Sequence, residues 1–198
     1  MRTVRGLALA VVLAACSPST TPTPSVTPAA TTSPAASEPS TAPTSNAAGV
    51  VVDPELLDVL PADVDGLAIV ESPEAEAEAL GDPNLGEITA ALAAGLAIDA
   101  GSGEFVYAAV VRLRAGAMSD ARFRDCRDSY DEGACSQAGG VVGHAEADIA
   151  GRTVYIGTCA GGVRTYHVWL MEQRLLVSAS AFGEERRLGE KLVEGLRP

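Results

Sequence analysis

Lysine is almost missing from this 198-residue chain. It occurs once, at Lys191, against thirteen arginines. Histidine occurs only at His144 and His167, tryptophan once, and aromatic residues make up 4%. Between Asp53 and Glu104 there are thirteen acids and no basic residue; beyond Glu104 the two signs balance, leaving a formal net charge of −12. So acidic a surface excludes nucleic acid, whose phosphates need a basic footprint. It equally excludes lying flat on an anionic membrane. Several motifs are missing too: no CxxC or HxxxH for zinc, no Gly-x-Ser-x-Gly elbow, and no dinucleotide-binding glycine fingerprint. No metal, no cofactor and no catalytic residue is therefore expected.

The first segment is informative. Arg2 and Arg5 precede an apolar run from Leu7 to Ala15, too short for a membrane-crossing helix, which needs about 20 residues. Leu13-Ala14-Ala15-Cys16 resembles the lipobox of bacterial lipoprotein precursors. The resemblance covers only the first 16 residues. It implies a signal peptide over 1–15, thioether attachment of a diacylglyceryl group to Cys16, cleavage before it, and often acylation of the freed amine. From Ser17 to Ala48 nearly every residue is Ser, Thr, Pro or Ala. Such a segment has no apolar surface to offset ordering entropy and is expected to be a disordered tether, about 30 Å between its ends as a coil. Ser and Thr beside Pro could also carry O-linked sugar, but no local motif demands it.

Residues 49–198 are expected to form one α+β domain, a mostly antiparallel β-sheet with packed helices. Helices are expected over Pro54–Leu60, over Pro83–Leu96 from the spacing of Leu85, Ile88, Leu92 and Leu96, after an N-cap at Ser119, and over Glu184–Leu196. Strands are expected over Gly66–Glu71, Glu104–Arg114, Val141–Ile149, Arg152–Cys159, Val163–Met171 and Arg174–Ala181. The alternating Glu74, Glu76 and Glu78 read as a solvated helix face. Asp63-Val64-Asp65-Gly66 opens like a calcium loop but lacks the later ligands, so it reads as an acidic turn leading into a strand. Ala160-Gly161-Gly162 joins two strands and reads as a hairpin turn, not a phosphate cradle. The hairpins and closing helix are similar to those of lipoproteins from high-GC bacteria, which implies placement and no chemistry.

Three cysteines remain after Cys16. Centring a hairpin on Ala150-Gly151 places Cys159 opposite Val142 and near Cys135, which favours a Cys135–Cys159 disulfide; the runner-up is Cys126–Cys135. Cys126 should then lie buried and inert on a helix face shared with Phe123 and Tyr130. His144 is expected on one sheet face with Tyr155 and Tyr166, and His167 on the other with Ile156 and Trp169, so the two imidazoles should not share a site. The expected function is a monomeric, lipid-anchored, non-enzymatic module outside the cytoplasm. It would meet the membrane through Cys16 and bind a protein, cell-wall component or small molecule. The alternatives are a thiol-dependent enzyme or redox protein using Cys159 or Cys126, and a structural envelope component.

Overall fold

The computed structural model describes residues 49–81, 85–183 and 185–197. The expected signal peptide, Cys16 and the tether lie outside the described residues. The fold is α+β, built on a mostly antiparallel sheet. In chain order its elements are β1 (Val51–Val52), a 3-10 helix (Pro54–Val59), β2 (Asp63–Val64), β3 (Leu67–Ala68), β4 (Val70–Glu71), α1 (Pro73–Leu80), α2 (Leu85–Ile88), β5 (Thr89–Ile98), β6 (Phe105–Leu113), α3 (Asp120–Cys135), β7 (Val141–Ile149), β8 (Arg152–Cys159), β9 (Arg164–Leu170), β10 (Leu175–Phe182) and α4 (Leu188–Glu194). The main sheet runs β1-β5-β6-β10-β9-β8-β7, with β4 also on β5; β1 is parallel to β5 and the other pairings are antiparallel.

Segment 85–96 departs most from the helix expected over 83–96, of which 83 and 84 lie outside the described residues. Thr89–Ile98 is a strand paired to β6 along its length, preceded by the single turn α2. A four-residue step is a multiple of two as well as close to one helical turn, so Leu92 and Leu96 also fall on one side of a strand. The alanines between them decide the matter. Ala91, Ala93 and Ala97 bury themselves on the opposite side, and a short run that is apolar all round suits a strand covered on both faces.

Those faces carry two cores. Under one face lie α4 and the 3-10 helix, with Leu56, Leu60, Leu188, Leu192 and Leu196 against Val110, Val177, Val168 and Tyr166. Gly189 lets α4 lie on the Tyr166 ring, for a Cβ there would fall 2.0 Å from it. On the other face Phe123 of α3 packs with Leu92, Val111, Leu113 and Leu176, its ring 5.2 Å from Tyr155 and 5.9 Å from Trp169.

Smaller differences have local causes. The expected strand 66–71 is divided: Leu67–Ala68 folds back on Asp63–Val64 while Val70–Glu71 joins β5. The turn between β2 and β3 places Asp65 and Gly66 at positive φ, so the acidic tetrad is a hairpin turn. The expected start of the closing helix, Glu184, lies outside the described residues; the helix observed begins at Leu188, after Arg187 in the left-handed region at φ 53. α3 begins where Ser119 Oγ accepts the Arg122 N–H.

Candidate functional site: a buried carboxylate between two imidazoles

Register brings the site together. Leu96, Tyr107, Ser180, Thr165, Gly157 and His144 stand in one row across β5, β6, β10, β9, β8 and β7. The next row on the same face holds Ser178, His167, Tyr155 and Glu146. Side chains opposite one another in a ladder share a face, so the centre of the α3-covered face is polar. This corrects the expectation for the histidines. The connection after Cys159 closes with Cys159 N–H donating to Val163 O, three residues lying between them. That odd count pairs Tyr155 with His167 and Gly157 with Thr165, putting His167 on the His144 side.

Asp131 of α3 descends onto this surface. It is fully buried. Its Oδ1 accepts from Thr165 Oγ1 at 2.5 Å and His167 Nε2 at 2.8 Å, and its Oδ2 faces His144 Nε2 at 3.1 Å. Thr165 Oγ1 in turn accepts the Gly157 N–H, and His167 Nδ1 lies 3.0 Å from Ser178 Oγ. His167 thus bridges the two side chains, its Nε2 on the Asp131 carboxylate and its Nδ1 on the Ser178 hydroxyl. Burial acts to raise the Asp131 pKa. The hydrogen bonds from His167 and Thr165 and the attraction of both imidazoles outweigh it, holding the carboxyl below its ordinary value.

Two further residues shape this arrangement. Gly157 is required, since a Cβ there would sit 2.6 Å from Asp131 Oδ2 and 2.4 Å from Thr165 Oγ1. Tyr130 closes the site from above, its ring edge-on to His167 at 5.2 Å and its hydroxyl 3.0 Å from Ser180 Oγ.

The Ser178–His167–Asp131 chain has the connectivity of a hydrolase relay without its access. His167 is 0% exposed and Ser178 8%, so no substrate carbonyl reaches the hydroxyl. A depression lined by Gly162, Arg164, Tyr166, Gly183 and Arg187 holds about 10 Å³, room for one water and not for an organic ligand.

The cysteines are placed plainly. Cys135 and Cys159 form a disulfide with Cα atoms 5.1 Å apart, so the runner-up pairing through Cys126 is not the one formed. Cys126 is half-buried rather than fully buried, packed at the edge of the Phe123 cluster. The Glu-rich helix also departs from expectation. Glu76 is 3% exposed, and its carboxylate accepts the Ala94 N–H at 3.0 Å in the gap between β1 and β4 along β5.

Asp131 was missed by sequence reasoning, although one signal pointed to it. It follows Phe123 by eight residues and so falls on the apolar stripe of α3, where a charge needs a partner. No family model, curated protein or solved structure matches this chain, so the role of the site rests on its geometry.

Proposed function

We propose that the chain is a lipid-anchored module outside the cytoplasm, in which Cys16 carries the lipid, 17–48 is a disordered tether, and the α+β domain is a monomer that binds a macromolecular partner without catalysis. Among the described residues no helix is long and apolar enough to cross a membrane; the anchor rests on the Leu13–Cys16 motif alone. The burial of the Ser178–His167–Asp131 chain supports the non-enzymatic reading most directly. The water-sized depression favours a protein or wall polymer over a small solute. Commitment of Cys159 to a disulfide weighs against the thiol-enzyme alternative, which needs a thiolate.

The test is Cys16→Ser expressed in a bacterial host with labelled fatty acid. An oxygen nucleophile is a poor substitute for the thiolate, so labelling and detergent-phase partitioning should both disappear. A variant that still takes up label would overturn the anchor.

A further inference from the structure

We propose that Asp128, Asp131 and His144 form a binding site for one divalent transition-metal ion of the zinc class, at the rim of the sheet where α3 meets the edge strand β7. One ligand atom from each of the three residues lies within 4.8 Å of the others. The donor set is one imidazole nitrogen and two carboxylate oxygens, which suits zinc-like ions; Ca²⁺ and Mg²⁺ prefer oxygen alone.

The spacing fits such an ion. Bonds of about 2.0–2.1 Å in a tetrahedron put two ligand atoms about 3.3 Å apart, and His144 Nε2 lies 3.1 Å from Asp131 Oδ2. A cation would sit between these two atoms in place of their hydrogen bond. Asp128 stands one helical turn before Asp131, on the same side of α3. Its side chain is 52% exposed, so it can swing to close the third position while Oδ1 remains with Arg127. Water fills what remains.

Independent features make this more than a group of surface acids. Asp131 is already desolvated, and its second oxygen is fixed by Thr165 and His167, which belong to a different strand from the ligand histidine. Metal-ligating carboxylates are oriented in this way. Gly157 leaves the space through which the carboxylate reaches across β8 to β7; any side chain there would fill it. The outer side of the site is accessible as well, since the His144 side chain is 45% exposed.

The experiment uses the full chain in detergent, prepared without a histidine tag, titrated with Zn²⁺ by calorimetry and by competition with a chromophoric chelator. One saturable equivalent is expected. His144→Ala and Asp128→Asn, both at exposed positions and checked for folding by circular dichroism, should each weaken affinity about 10-fold or more. Glu172→Gln, in the distant β9–β10 turn, should bind like the parent. Absence of saturable binding would overturn the site. So would equal affinity in His144→Ala, which would mark non-specific attraction to an acidic protein. Ca²⁺ displacing Zn²⁺ at equal concentration would overturn the assignment of metal class.

Discussion

Glu76 carries a charge into the protein interior, and only one backbone donor greets it. Burial raises its pKa, the neighbouring Glu71 raises it further, and the Ala94 N–H opposes both without winning. A folded-state pKa above the ordinary 4.5 means that the native state holds this proton more tightly than the unfolded chain does. Stability from this group is then complete below about pH 4.5 and is lost as pH rises through the native value. Glu76→Gln keeps an oxygen for Ala94 and discards the charge. It should melt above the parent at pH 7, and the difference should shrink towards pH 4, as thermal melts across that range can show. A constant difference would mean that the charge is not the cause. Glu76→Ala instead orphans the Ala94 N–H and should cost about 1–3 kcal/mol at either pH. Gly189→Ala tests packing alone: its Cβ would meet the Tyr166 ring, and overpacking of this kind costs about 1–3 kcal/mol in a denaturant titration.

Among the elements, α3 and the strands β7 to β10 do most to place the candidate site. The Cys135–Cys159 disulfide ties the end of α3 to β8 across 24 residues, which by loop-closure entropy contributes about 3.5 kcal/mol. Cys135→Ala or Cys159→Ala should therefore lower stability by about 2–4 kcal/mol in urea, against about 1 kcal/mol for Cys126→Ala. Alkylation of the unreduced protein should modify Cys126 and spare Cys159; rapid labelling of Cys159 would overturn the pairing.

These four strands were legible because alternation and turn residues agree on them: β7 and β8 span the expected ranges, and β9 and β10 differ by one residue at each end. The site was less legible. Its geometry depends on whether an odd or even number of residues separates Cys159 from its partner, and a slip of one moves His167 through the sheet. β5 was misread for a related reason, since steps of four satisfy helix and strand alike. Glu76 escaped because its partner is a backbone amide, which no side-chain pattern reveals.

Over the whole molecule, the charge asymmetry of the sequence is a pairing scheme. Basic residues after Glu104 reach back to acids up to and including it: Arg112 to Asp53, Arg122 to Glu87, Lys191 to Asp65, and Arg186 to Asp65, Asp99 and Glu104. Asp65 is held below its ordinary pKa chiefly by hydrogen bonds from Lys191 and Arg186, and Asp99 chiefly by the Gly101 and Ser102 amides. Stability from these acids is present above about pH 3.8 and is lost as pH falls through the lowered native values. Arg186→Gln should melt below the parent at neutral pH, by a margin that narrows in high salt. The proposed tether has little charge to bring to this scheme, for Ser17 to Ala48 contain one acid, Glu38, and no basic residue. Val26 is their only large apolar side chain, so they can add almost nothing to a core. Val50, by contrast, is 0% exposed and marks how far a deletion may run. Removing Ser17 to Ala48 should leave the melting temperature within about 1 °C of the parent, because a segment with no apolar surface gains nothing on folding to offset its ordering entropy. The variant should still unfold in one cooperative step by calorimetry. A broadened or biphasic transition would show that part of 17–48 belongs to the fold.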